Sequence, residues 1–148
     1  KTELKNDCIA RFRCAYQHGK IEAVSYDADG KEIGRCTLYS AGKQTCLRAL
    51  PEEPFVKPGG LSYVRLKYTD GKGLTKPLCR GKLQIEVSGG KLLGLGSACP
   101  YYELSYLGDV TDTYYGEALA VVKAGSIGRL TVTVTDGTCS DQAYVTIQ

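Results

Sequence analysis

Five of the eleven tyrosines fall between positions 101 and 115, as Tyr101-Tyr102-Glu103, Tyr106 and Tyr114-Tyr115. An aromatic ring offers an apolar face on which a sugar ring can stack, and a carboxylate such as Glu103 or Asp109 can accept hydrogen bonds from sugar hydroxyls. Tyr101, Tyr102, Glu103, Tyr106 and Tyr114 are therefore the candidate carbohydrate contacts. Trp, the stronger platform, is absent. The same residues also suit a loop folded over the end of a β-sandwich, with half-buried rings and wet hydroxyls.

Other chemistry finds less support. A Ser or Cys nucleophile needs a general base within hydrogen-bond reach. The chain has one His, His18, in a turn beside Gly19. The carboxylates sit in turns or on wet strand faces, where nothing raises a pKa. Seven Cys, at 8, 14, 36, 46, 79, 99 and 139, form no CxxC and have no His partner at zinc-ligand spacing. Their odd number prevents complete pairing, and several lie in apolar runs, so they are expected to be reduced structural thiols. That favours a cytoplasmic setting. Gly94-x-Gly96 lacks the third glycine and following helix of a dinucleotide loop. Asp27-x-Asp29-Gly30-x-Glu32 has too few oxygen ligands for calcium and reads as a polar turn. No cofactor and no metal are expected.

The elements that would position these residues are strands. Period-2 alternation marks Ile9–Ala15, Lys20–Tyr26 and Ile33–Tyr39, a three-stranded meander whose hairpin loop is Asp27-Ala28-Asp29-Gly30-Lys31. Ala41-Gly42 marks a break. Further strands are expected at Gln44–Leu50, Leu61–Thr69, Leu83–Val87, Lys91–Gly96, Tyr114–Ala124, Leu130–Thr135 and Gln142–Ile147. Pro51, Pro54, Pro58 and Gly59-Gly60 should break regular structure between the first two of these, and 98–113 reads as one long loop. No segment carries a sustained helical period. About seven strands beyond residue 42 have the count and spacing of an immunoglobulin-like β-sandwich. The expected organisation is all-β: the C-terminal half of an Ig-like domain over 1–41, then a complete Ig-like sandwich over 42–148.

Composition excludes several partners. Nineteen Lys and Arg against sixteen Asp and Glu leave a net charge of +3 over 148 residues, with no basic stripe for nucleic acid. No run approaches the ~18 apolar residues of a membrane helix. The absence of Met, even at position 1, suggests a piece of something longer.

Two runs carry a family resemblance: Gly89-Gly90-Lys91-Leu92-Leu93-Gly94-Leu95-Gly96-Ser97-Ala98-Cys99-Pro100, and Thr113-Tyr114-Tyr115-Gly116-Glu117-Ala118-Leu119-Ala120-Val121-Val122-Lys123-Ala124-Gly125. With Leu61-Ser62-Tyr63-Val64 upstream, they resemble the C-terminal Ig-like domain of bacterial glycoside hydrolase family 2 enzymes, the β-galactosidase and β-glucuronidase relatives. Residues 19–35, then Thr37-Leu38 and Ala41-Gly42, resemble the end of the preceding Ig-like domain of those enzymes. Ala15-Tyr16-Gln17-His18-Gly19 departs from the proline-bearing turn usual there.

The resemblance implies a non-catalytic accessory module of a retaining β-glycosidase, β-galactosidase-like, whose two catalytic carboxylates lie in a separate (β/α)8 barrel. No catalytic residue transfers to this chain. The implied partners are the other domains of the parent glycosidase. A glycan and a second copy of the chain are further possible partners. Two alternatives stand beside this one: a carbohydrate-binding module using the Tyr-rich loop, and an adhesin-type Ig-like stalk.

Overall fold

The computed structural model describes residues 9–101 and 103–148. Among these every regular element is a strand. The chain divides into two compact units, Lys1–Ser40 and Ala41–Gln148.

The first unit contains one antiparallel hairpin, β1 (Lys20–Tyr26) with β2 (Glu32–Tyr39). Its loop is closed by Asp27, whose carboxylate accepts the Lys31 N–H at 2.8 Å while its carbonyl accepts the Gly30 N–H at 3.1 Å. The register puts Ile21 opposite Leu38 and Ala23 opposite Cys36 on one face. The other face carries Glu22, which meets both Lys20 (2.9 Å) and Arg35 (3.2 Å). The expected third strand, Ile9–Ala15, is not formed. Its alternation is real, but alternation marks a face a strand could bury and does not by itself specify the ladder that makes a strand.

The second unit is a β-sandwich. One sheet has the order β4-β11-β10-β6-β8 and the other β3-β5-β9-β7. The strands are β3 (Cys46–Pro51), β4 (Phe55–Val56), β5 (Leu61–Thr69), β6 (Lys82–Ser88), β7 (Gly90–Gly96), β8 (Val110–Asp112), β9 (Glu117–Ala124), β10 (Gly128–Thr135) and β11 (Ser140–Ile147). Alternation decides what faces inward. Val64, Leu66 and Tyr68 of β5 and Ala118, Ala120 and Val122 of β9 meet Leu83 and Ile85 of β6, Leu130, Val132 and Val134 of β10, and Val145 and Ile147 of β11, all buried.

Two short strands correct the sequence reading. β4 lies within the proline-rich stretch and pairs in parallel with β11, Phe55 against Thr146 and Val56 against Ile147. β8 interrupts the expected loop over 98–113 and pairs with β6. Among the described residues nine strands, not seven, build the sandwich. Pro51 ends β3, an edge strand, where a missing N–H costs little. On that same edge the Ala49 N–H donates to Asp141 Oδ2 at 3.0 Å.

β7 carries the first family-like run. A bulge between Leu92 and Gly94 inserts one residue, so Leu92 pairs with Val122 and Leu95 with Ala120 although they are three residues apart. Both then face the core. Gly94 and Gly96 fall opposite Val121 and Leu119, on the outer face of the sheet.

Candidate functional site

The outer face of the β3-β5-β9-β7 sheet carries two largely apolar rows between charged ones, Arg48-Lys67-Glu117 and Lys123-Lys91. Leu50, Arg65, Leu119 and Gly96 lie directly opposite one another across the four strands, and Tyr63, Val121 and Gly94 form the next row. Toward β7 the rows step down from side chains to bare glycine backbone. The step opens a groove of about 950 Å3. Its floor is Gly94, Gly96, Leu119 and Val121. One wall is Ser97, Ala98 and Tyr106; the other is Thr75, Pro77, Tyr114 and Tyr115; Arg65 and Glu117 complete the lining.

Each wall has a local cause. The Leu95 N–H, on the free edge of β7, donates to the Tyr106 carbonyl at 2.8 Å and pulls the 98–109 segment against the sheet. The Tyr106 ring then lies on Gly96, where a Cβ would fall 2.4 Å from ring carbons. Any larger residue at 96 would expel the ring.

The opposite wall is a two-residue turn leading into β9. The Tyr114 N–H donates to the Glu117 carbonyl at 2.9 Å and the Glu117 N–H to the Tyr114 carbonyl at 3.1 Å. Tyr115 and Gly116 both have positive φ, 50° and 75°, the type I′ pattern. Gly116 is required twice over, since a Cβ there would also meet the Lys76 carbonyl oxygen at 2.4 Å. Tyr115 is a different matter. A β-carbon in the left-handed region costs on the order of 1 kcal/mol, and Asn or Gly usually takes this place. The strain holds an exposed ring over the groove, edge-on to Tyr114, with centroids 4.5 Å apart and planes at 70°. The Tyr115 hydroxyl beside it, with some desolvation, raises the pKa of the Tyr114 phenol.

The charges of the groove are paired. Arg65 Nε donates to Glu52 Oε1 at 2.8 Å, and Lys67 Nζ donates to Glu117 Oε1 at 2.8 Å. Thr75 Oγ1 lies 3.4 Å from the same Glu117 oxygen. Ser97 Oγ is buried with no hydrogen-bond partner among the described residues.

Of the carbohydrate contacts expected from sequence, the structure brings Tyr106 and Tyr114 together in the groove. Tyr101 and Glu103 are exposed and do not line it. Tyr102 lies outside the described residues. Asp109 accepts a hydrogen bond from Gln84 Nε2 at 2.8 Å instead of facing the tyrosines. Sequence reasoning placed Tyr115 in the Tyr-rich region without counting it as a contact, and did not single out Arg65 or Glu117. For Tyr115 a signal existed: in a type I′ two-residue turn, the residue directly before Gly takes positive φ.

The carboxyls with lowered pKa lie elsewhere and brace loops. Asp70 accepts N–H bonds from Gly42 (2.8 Å), Leu74 (2.9 Å) and Lys72 (2.8 Å), which stabilise its charged form. Asp136 accepts from the Cys139 N–H at 2.7 Å, the Thr138 N–H at 2.8 Å and the Tyr68 hydroxyl at 2.8 Å, with the same result. Burial and the Asp136 charge push the Tyr68 phenol well above its usual range. Among the described residues no cluster of His, Cys, Asp and Glu could hold a metal ion.

Known structures share this fold. A glycosyl hydrolase family 2 member from Bacteroides cellulosilyticus is 33% identical over 90% of this chain, with a TM-score of 0.81. A β-glycosidase from Bacteroides vulgatus shares the fold at 23% identity over 89% of this chain, with a TM-score of 0.77. A Parabacteroides merdae β-glucuronidase shares it more loosely, at 18% identity over 91% and a TM-score of 0.55. The chain spans only 19%, 18% and 17% of the lengths of those three proteins. No curated protein matches its sequence. The family model for glycoside hydrolase family 2 C-terminal domain 5 matches residues 56–145, from β4 to within β11. The chain belongs to that family.

Proposed function

We propose that this chain is a non-catalytic C-terminal accessory module of a retaining, β-galactosidase-like family 2 glycosidase. The family match over residues 56–145 is the observation that carries the reading. The chain's small share of its structural relatives supports a parent with further domains, which would be its first partners. Retaining hydrolysis needs two carboxyl groups about 5 Å apart beside the scissile bond. The groove supplies a single carboxylate, Glu117, already paired with Lys67. Its contribution is then to packing and positioning in the parent enzyme rather than to bond cleavage.

The test is an assay of the 148-residue chain, and of the parent with and without it, on chromogenic β-galactosides and β-glucuronides. The chain alone should turn over neither, and the parent should prefer the galactoside. Turnover by the isolated chain that a substitution within it, Glu117→Gln first, abolishes would overturn the non-catalytic reading. A parent that cleaves only the glucuronide would overturn the galactosidase assignment. Six described cysteines are free thiols, which supports a reducing, cytoplasmic location. The apolar hairpin face of Ile21 and Leu38 supports pairing with a second copy, which sedimentation of the chain would register as a mass twice that of the monomer.

A further inference from the structure

We infer that the groove between Tyr106 and the Tyr114-Tyr115 turn binds a short neutral oligosaccharide. The inference rests on the accessory-module reading for its choice of ligand class and goes beyond it in assigning a site.

Four observations converge. The groove has a volume in the range of small-ligand sites, about 950 Å3. Phenol rings stand on both walls above a glycine and aliphatic floor, so a sugar's apolar face and its hydroxyls both find partners. Strain is retained at Tyr115, where Asn or Gly would fit without it. Unrelieved strain of this kind collects at binding sites, where the misplaced side chain is what the site uses. Finally, the buried Ser97 hydroxyl on one wall has no hydrogen-bond partner among the described residues.

The identity of the occupant follows from charge and from the backbone. Arg65 and Glu117, the charged residues of the lining, are both held in ion pairs, with Glu52 and Lys67, so the lining itself offers no unpaired cation to an anionic chain. A uronic-acid polymer would need an unpaired cation. A peptide would bind most readily by adding a strand to the β7 edge, but the Leu95 N–H there is already taken by Tyr106. A neutral glycan asks for neither.

The experiment is a titration of the 148-residue chain with galacto-, gluco- and xylo-oligosaccharides, and with polygalacturonate as the charged comparison. The readout is tyrosine fluorescence, which the absence of Trp leaves unmasked. At least one neutral oligosaccharide should bind, and polygalacturonate should not. Tyr106→Ala should weaken that binding about three- to tenfold, as expected for the loss of one aromatic contact. Tyr115→Asn should weaken it similarly while raising the melting temperature, because strain is relieved as the ring is lost. Tyr144→Ala, on the exposed face of β11, should leave it unchanged. If no neutral oligosaccharide binds, or if Tyr115→Asn stabilises the protein without touching affinity, the site is not a glycan site. The accessory-module reading would survive that result, since the turnover assays on the parent test it separately.

Discussion

The two units of this chain use the same kind of strand with opposite results. β1 and β2 form a well-registered hairpin with an apolar face and an ionic face, yet Ile21 is 60% exposed and Leu38 65%. β5 and β10 have the same alternation, and Leu66 and Leu130 are 0% exposed. Among the described residues the difference is a second layer. A sheet face stabilises a fold only when another face removes it from water, at roughly 25 cal/mol per Å2 of apolar surface. The ion pairs linking Glu22, Arg35, Lys20 and Glu32 do not substitute for it, because surface pairs are each worth about 0–1 kcal/mol.

Hydrogen exchange should show the contrast at its largest. Amides of Leu130–Thr135 in β10 should exchange only through global unfolding, at ~5 kcal/mol or more, and those of β1 and β2 through local opening near zero. Equal protection would mean that the Ile21–Leu38 face is covered in solution, by a second copy or otherwise.

Side-chain truncation comes next. Leu130→Ala should cost about 2–5 kcal/mol in denaturant unfolding of the sandwich. Leu38→Ala should move the same transition by no more than ~0.5 kcal/mol, as expected of a surface change. A large effect of Leu38→Ala would break the comparison.

The smallest effect is electrostatic. Asp70 and Asp136 have folded pKa values below the ordinary 3.8, so their stabilisation is complete above the unfolded value. It is lost as the pH falls through the lower folded values. The sandwich should therefore lose stability below about pH 4, and Asp136→Asn should blunt that acid sensitivity while lowering stability at pH 7. An unchanged acid transition in Asp136→Asn would remove this carboxylate from the account.

Much of the sandwich was legible in the residues. Val64, Leu66 and Tyr68, or Leu130, Val132 and Val134, announce an inward face by alternation alone, and the Gly89–Pro100 and Thr113–Gly125 runs point to the family. The sequence also settled the all-β class, through the absence of any helical period. Half the candidate site was legible as well, since Tyr106 and Tyr114 are where an aromatic cluster was expected, while Tyr101 and Glu103 point elsewhere.

Tertiary structure decided the remainder. β4 and β8 are two and three residues long, too short for any period, and exist because β11 and β6 offer them hydrogen bonds from far along the chain, 91 residues away for Phe55–Thr146 and 30 for Lys82–Asp112. Ile9–Ala15 has the better local pattern and still forms no strand, because alternation alone does not specify a pairing. The groove is likewise non-local. It needs the β7 bulge to turn Gly94 and Gly96 outward, the Leu95–Tyr106 hydrogen bond to raise one wall, and the left-handed turn at Tyr115 to raise the other. Alternation reports which face of a strand is dry. It carries no information about which distant backbone will close against that strand, because that is set by the summed packing of both sheets rather than by any window of sequence.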